Sequence, residues 1–145
     1  MFQFITDIFK KENPKELIEI LQNEHQILVE IYTKITNHVD NDEFEKVESE
    51  IKNFVEVYNN HISLEDNKLY VALEEKYKNQ PKMLETIKEI EVNMNSITKA
   101  IKFFEEKHTS ISKNTKDIFI DEFKHIGSIL SARVELEEKR LYPLL

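Results

Sequence analysis

Residues that interrupt helices are almost absent from this chain. Its 145 residues include one glycine and three prolines, and a third of all residues are charged. Because glycine and proline are the strongest breaks in a helical pattern, this composition predicts long helices joined by short loops. The length is that of one domain, which is large enough to bury a core without cross-links. The chain has no cysteine, which excludes disulfides, thiolate metal sites and cysteine nucleophiles.

Apolar residues at helical spacing predict where the helices lie. The pair Asn13-Pro14, followed by Glu16, is typical of a helix start. Pro81 can open a further helix and Thr115 can cap another. The predicted helices cover about residues 14–39, 42–78, 81–107 and 115–142. Since short connections make neighbouring helices antiparallel, we expect an all-α, up-down-up-down antiparallel four-helix bundle over residues 13–145.

Residues 1–12 are predicted to form a short N-terminal arm. Positions 2, 4, 5, 8 and 9 are apolar, so we expect this segment to bury one face. An arm that packs on the bundle is the simpler hypothesis. The alternative is a segment that docks a protein partner or joins two copies as a homodimer.

The net charge and the hydropathy pattern limit the classes of partner. A net charge of −8 with no basic stripe argues against nucleic acid. No apolar run approaches the roughly 20 residues of a membrane span. The first residues lack the basic head and the small-residue cleavage site of a signal peptide. We therefore expect a cytoplasmic protein that does not bind membranes.

One tract of the second predicted helix recurs in the fourth. Residues 61–70 align with residues 133–142, and the two helices align over most of their length at this offset of 72. The equivalent pairs are Glu65 with Glu137, Leu69-Tyr70 with Leu141-Tyr142, and His61 with Arg133. The first and third helices align at an offset of 69, which pairs His25 with Met94. The sequence thus predicts two related helical hairpins, each with three site positions.

The two hairpins differ in the chemistry of those positions. His61 and Glu65 are four residues apart and project from one helical face, where an imidazole and a carboxylate suit iron, manganese or zinc. Helical surfaces often produce this spacing, so a solvated pair is the commoner interpretation of the pair alone. Met94 offers a soft, neutral thioether, which is a poor iron ligand, and Arg133 is permanently cationic and cannot ligate.

At these residues the chain resembles the hemerythrin-like (HHE cation-binding) family. The family pattern is His, then His-x-x-x-Glu, then His, then His-x-x-x-Glu, often followed by Leu-Tyr-Pro. The matching residues are Glu24-His25, His61-x-x-x-Glu65 with Leu69-Tyr70, and Glu137 with Leu141-Tyr142-Pro143. The resemblance runs from about Pro14 to the end and implies a four-helix bundle with a non-haem di-iron centre. Known roles in the family include dioxygen binding, iron or oxygen sensing, and repair of damaged iron centres.

Carried over residue by residue, the resemblance implies a metal site that is complete on one side only. Glu65 and Glu137 would be the bridging carboxylates, with His25 and His61 as terminal ligands of one iron. The third and fourth family histidines would fall near Met94 and at Arg133, and both belong to the other iron. The implied cofactor is therefore iron, as one ion rather than two.

A charge count suggests a role for Arg133. Two buried carboxylates need compensation, and Arg133 supplies one positive charge roughly where a second metal would sit. One divalent ion would leave the group at a net charge of about +1, whereas Arg133 and one protonated histidine would balance the carboxylates without metal. Electrostatics alone leaves both alternatives open.

Three functional hypotheses follow. The leading one is a non-haem iron protein that binds or senses dioxygen or nitric oxide, because no separate acid, base or nucleophile constellation is visible. The second is a metal-free interaction or signalling module with a buried salt-bridge core of Arg133, Glu65 and Glu137. The third is an oxidase or peroxidase with a mononuclear site. Other side chains have plainer interpretations: His38, His108 and His125 as surface or capping histidines, and Tyr32, Tyr58 and Tyr70 as core or interface tyrosines.

Overall fold

The computed structural model describes residues 13–145, and the predicted N-terminal arm lies outside them. The described part is all-helical and contains no strand. Its five α-helices are α1 (Pro14–Asp40), α2 (Phe44–Leu64), α3 (Tyr70–Lys76), α4 (Pro81–Lys107) and α5 (Lys116–Leu136). The first proline of α1 and that of α4 stand in the first turn, where a missing backbone N–H costs nothing. The Asn13 side chain caps α1 by accepting a 2.8 Å hydrogen bond from the Glu16 backbone N–H.

Two π-helical turns continue the helices at equivalent places in the two hairpins. The first, Glu65–Leu69, joins α2 to α3 without a break, so that these three elements form the second helix of the bundle. The second, Glu137–Leu141, extends α5 and is followed by a 3-10 turn at Tyr142–Leu144. Short π turns inside α-helices occur frequently at functional sites. Each of these begins at one of the two glutamates of the repeated tract.

Contacts along the helices show that neighbours run in opposite directions. On α1 and α5, His25 lies beside Glu137 while Tyr32 lies beside Phe123, so the partner number falls as the helix advances. The Lys116 ammonium reaches Asp42 at the opposite end of the molecule from the chain terminus. The described residues therefore form the antiparallel all-α bundle that the sequence predicts.

The apolar core is divided into two clusters with a polar layer between them. The larger cluster includes Leu28 and Tyr58, whereas the smaller includes Leu21 and Leu69. Because His25 and His61 fall between these positions on their helices, the polar layer separates the two clusters. The single glycine also has a packing role, since a Cβ added at Gly127 would overlap the Tyr32 hydroxyl.

Some details differ from the sequence prediction. The second helix begins at Phe44 rather than at residue 42, because Asp42 adopts a left-handed conformation with φ of 55° that α-helix cannot continue through. His108 occupies the C-cap of α4, but it is 5% exposed and packs on Phe104, so it is not a surface residue. His125 is exposed, as expected. Within residues 13–145 no helix is both long enough and apolar enough to span a membrane.

Candidate metal centre

The four residues proposed as ligands come from four parts of the bundle and meet in the polar layer. His25 lies on α1, His61 on α2, and Glu65 and Glu137 begin the two π turns. All are buried, with exposed fractions of 3%, 2%, 1% and 1% in that order. Charged side chains are rarely buried to this degree unless they are paired or bind a metal.

Three of the four present ligand atoms to one point. The Nε2 atoms of His25 and His61 are 3.1 Å apart, and Glu137 Oε1 lies 2.9 Å from the first and 3.5 Å from the second. Ligand atoms bound about 2.1 Å from one ion are themselves about 3 Å apart. His25, His61 and Glu137 therefore fit the coordination sphere of a single cation, and their ligand atoms all lie within 4.8 Å of one another.

Two further carboxylates fix the orientation of the imidazoles. Glu138 Oε2 lies 2.7 Å from His25 Nδ1, and Glu24 Oε1 lies 2.8 Å from His61 Nδ1. Each Nδ1–H donates a hydrogen bond to its carboxylate, which leaves Nε2 with its lone pair directed at the site, as in carboxylate–histidine–metal arrangements. Two lone pairs that face each other at 3.1 Å repel, so a proton or a metal ion must lie between the two rings.

Glu65 reaches this group through a different contact. Its Oε2 is 3.5 Å from His61 Nε2 and accepts a 2.9 Å hydrogen bond from the Tyr142 hydroxyl. The same hydroxyl lies 3.1 Å from Glu137 Oε1, so Tyr142 links the two carboxylates. Tyr142 is 1% exposed and thus belongs to the buried site.

Arg133 fills the equivalent position of the second hairpin. Its Nε donates a 2.8 Å hydrogen bond to Glu137 Oε2, Nη1 donates to the Ile90 carbonyl at 2.9 Å, and Nη2 donates to the Tyr70 hydroxyl at 3.1 Å. Each of the three guanidinium nitrogens therefore has a hydrogen-bond partner. These bonds offset the cost of burying Arg133, which is only 5% exposed. The expected salt-bridge core takes a different form here, because Arg133 pairs with Glu137, whereas the close partners of Glu65 are Tyr142 and His61.

Met94 lies on α4 and is 7% exposed, among the apolar residues of the larger core cluster. It is one helical turn beyond Ile90, whose carbonyl receives the Arg133 guanidinium. The second hairpin thus has an apolar side chain and a fixed cation where the first has two imidazoles.

The charges in this layer shift one another's pKa values. Burial would lower the pKa of His61, but hydrogen bonds with Glu137 and Glu65 raise it to about 10. Burial would raise the pKa of Glu137, yet the contacts with His25, His61 and Arg133 hold it well below the usual range. Burial raises the pKa of Glu65 and also that of the Tyr142 hydroxyl, which the two carboxylate charges raise further. Without metal, a neutral solution therefore leaves a proton on His61 between the carboxylates.

An open cavity of about 860 Å³ extends from this layer to the surface between α1 and α5. His25 is one of its lining residues, together with apolar side chains such as Leu28 and Val134. The small residues Gly127 and Ser131 line its α5 side.

The four residues named from the sequence lie together in the polar layer, but sequence reasoning missed three of their partners. Glu24, Glu138 and Tyr142 complete the hydrogen bonding of the layer. Each had a signal: the Glu24-His25 pair, the second glutamate beside Glu137, and the repeated Leu-Tyr pair.

A comparison with protein-family models places the chain. The model of the hemerythrin HHE cation-binding domain matches residues 16–145. The protein therefore belongs to the hemerythrin HHE cation-binding domain family, which the sequence resemblance had predicted. Searches of curated proteins and of solved structures gave no significant match.

Proposed function

We propose that this protein is a non-haem iron protein that holds one ion between His25, His61, Glu65 and Glu137. The ion binds or senses dioxygen or nitric oxide. The single observation that carries the proposal is the pair of Nε2 atoms 3.1 Å apart, each with a carboxylate on its Nδ1. That arrangement provides lone pairs at a point where the protein needs positive charge.

Imidazole and carboxylate ligands suit iron, manganese and zinc, so the donor set alone does not select among them. Iron is the proposal because the family resemblance implies it. When bound, iron would supply a redox-active centre with affinity for diatomic ligands. The protein's own groups would orient the imidazoles through Glu24 and Glu138 and shield the centre from bulk water.

The role proposed for Arg133 is that of the second metal ion in the family. Its guanidinium neutralises Glu137 from the side opposite His25, at 2.8 Å. An arginine keeps its charge at every physiological pH, so this half of the site needs no ion. One metal is proposed for this reason.

A metal-free interaction module is the second candidate, and a specific observation favours it. Within residues 13–145, all buried side-chain polar atoms of the site have a hydrogen-bond partner. The Tyr142 hydroxyl and the protonated His61 could satisfy the carboxylates without an ion. In that case the polar layer would specify the packing of the bundle and would bind nothing.

Metal analysis separates the two candidates. The protein is purified anaerobically, and iron, manganese and zinc per chain are measured for wild type, His61→Ala and the exposed control His125→Ala. We expect about one equivalent of iron in wild type and in the control, and none in His61→Ala. Circular dichroism checks that His61→Ala is folded. No metal in any sample would support the metal-free candidate, and two equivalents would contradict the one-ion proposal.

A further inference from the structure

We propose that Tyr142 is itself a metal ligand, with its phenol oxygen as an additional donor atom of the site. This inference rests on the proposed function, since it concerns the same ion. It adds an oxygen ligand of a different chemical class to the two imidazoles and two carboxylates. The geometry of the hydroxyl and the backbone that positions it support the proposal.

The Tyr142 hydroxyl lies among the ligand atoms. It is 2.9 Å from Glu65 Oε2, 3.1 Å from Glu137 Oε1 and 3.3 Å from His25 Nε2. These separations match the spacing of about 3 Å between ligand atoms that share one ion. A phenol has one hydrogen to donate, so it can satisfy only one of three neighbours that all carry lone pairs. A cation at their centre would satisfy all of them at once.

The second π turn brings this oxygen into the site. Its defining hydrogen bond runs from the Tyr142 backbone N–H to the Glu137 carbonyl, five residues earlier. In a regular α-helix the residue five positions on points to a different face. The wider turn lays Tyr142 over Glu137, so that both side chains enter the same buried layer.

Coordination by this oxygen includes the loss of one proton. Burial and the neighbouring carboxylates keep the Tyr142 hydroxyl protonated in the absence of an ion. A bound cation reverses that balance, and the proton passes to solvent as the oxygen–metal bond forms.

Tyr70 provides a matched control within the same molecule. It follows the first π turn as Tyr142 follows the second, and both are buried, at 3% and 1% exposed. Its hydroxyl, however, accepts a hydrogen bond from Arg133 and faces the half of the site that has the fixed cation. A Tyr70→Phe variant removes the same atom from the equivalent place without touching the proposed ligand set.

The experiment exploits the visible charge-transfer band that ferric iron shows when a phenolate binds it. Wild type, Tyr142→Phe and Tyr70→Phe are loaded with ferrous iron anaerobically and exposed to air. Iron per chain, visible absorption and resonance Raman spectra are then measured. A second wild-type sample carries ring-deuterated tyrosine, which identifies phenolate vibrations by their shift. Circular dichroism confirms that each variant is folded.

We expect the band and the isotope-sensitive vibrations in wild type and in Tyr70→Phe, and their complete loss in Tyr142→Phe. A folded Tyr142→Phe that binds no iron under conditions that fill Tyr70→Phe would also support the inference, provided wild type shows the vibrations. Iron-loaded wild type without the band, or a band that survives in Tyr142→Phe, would overturn it and leave the one-iron proposal standing. Wild type that takes up no iron would overturn both.

Discussion

The two hairpins of this bundle share a backbone and differ in their charges. Each places a π turn at a glutamate, Glu65 in the first and Glu137 in the second. Four residues earlier, the first hairpin has His61 and the second has Arg133. The arginine contacts its glutamate at 2.8 Å, whereas the histidine is 3.5 Å from its own. The longer separation in the first hairpin is compatible with an ion between the two groups, and the proposed role of the arginine is to supply that charge in the second.

The two hairpins keep the same backbone although the side chains at equivalent positions differ. Each nitrogen of the Arg133 guanidinium donates a hydrogen bond, and one of the acceptors is the backbone carbonyl of Ile90. Such a carbonyl at the bundle interior is normally satisfied by its own helix, and its second lone pair is free to accept. The substitution therefore uses groups that any helical bundle of this kind would offer.

The largest expected effect comes from reversing the difference between the hairpins. In the Met94→His, Arg133→His double variant, the second hairpin regains the two imidazoles that the family pattern places there. We expect the iron content to rise from about one ion per chain to two, because Glu65 and Glu137 can then bridge a pair of ions. Metal analysis of the anaerobically loaded protein measures this.

The Met94→His single variant serves as the control for the double variant. Met94→His alone keeps the fixed cation of Arg133, so it should retain one ion. A double variant that folds and still binds one ion would contradict the equivalence of the hairpins, most directly the pairing of Met94 with His25.

Removing the arginine alone should destabilise the protein strongly. In Arg133→Ala, Glu137 loses its ionic partner and Tyr70 loses its donor inside a buried layer. Breaking a buried ion pair in this way costs about 3–5 kcal/mol of unfolding free energy. Urea unfolding of the metal-free protein measures the loss.

Arg140 is the matched control for that variant, because it lies on the same helical segment and is exposed. We expect Arg140→Ala to change the unfolding free energy by less than about 0.5 kcal/mol. If both arginine variants proved equally mild, Arg133 would not be the built-in cation that the comparison requires.

The bundle and the four polar positions of the site could be predicted because both depend on spacing. Helical periodicity assigned Leu28 and Phe123 to the core, and the offset of 72 aligned Glu65 with Glu137 without any coordinates. The π turns could not be predicted, since an inserted residue in a helix leaves the apolar pattern nearly intact. The repeated Leu-Tyr pair marked Tyr142 in the sequence, but its entry into the site depends on such a turn and could not be predicted.

His108 shows a second limit of sequence reasoning. A histidine at a helix end before a polar loop is usually exposed, yet here the ring packs against Phe104 and Phe119. Its Nε2 bonds to Glu122 Oε2 at 2.9 Å, which offsets the cost of burying a polar ring. The partner is 14 residues away on the next helix, beyond what local patterns report.

An intermediate effect is expected from the carboxylates that orient the imidazoles. Glu24→Gln and Glu138→Gln each replace an ionic acceptor with an amide of the same shape, and each belongs to a different hairpin. Loss of such a partner lowers metal affinity about 10- to 100-fold. Competition with a metal chelator measures the change for each variant.

Glu135→Gln is the control, because Glu135 is exposed and pairs with Lys139 outside the site. Equal losses from Glu24→Gln and Glu138→Gln would indicate that both hairpins support one shared ion. An unchanged affinity in either variant would be inconsistent with an ion held by the imidazole that this carboxylate orients.

The smallest effect concerns a polar contact that one hairpin has and the other lacks. Glu122 accepts hydrogen bonds from Lys107 and His108, and these bonds, the lysine first, lower its pKa. Its equivalent at the offset of 72 is Glu50, whose buried Oε2 has no hydrogen-bond partner within residues 13–145. A lowered folded-state pKa contributes stability above the unfolded pKa of about 4.3, and this contribution disappears as pH falls through the folded-state value.

We therefore expect Glu122→Gln to lower the unfolding free energy by less than about 1 kcal/mol at pH 7, since the carboxylate is partly exposed and screened. The difference from wild type should shrink as the pH falls from the unfolded pKa of about 4.3 through the lower folded-state pKa of Glu122. Glu50→Gln should be neutral or slightly stabilising at pH 7, because the buried Oε2 of Glu50 has no hydrogen-bond partner within residues 13–145. Urea unfolding of both variants at pH 7 and pH 3.5 checks this. A larger loss of unfolding free energy in Glu50→Gln than in Glu122→Gln would contradict the assignment of the stabilising contact to the second hairpin.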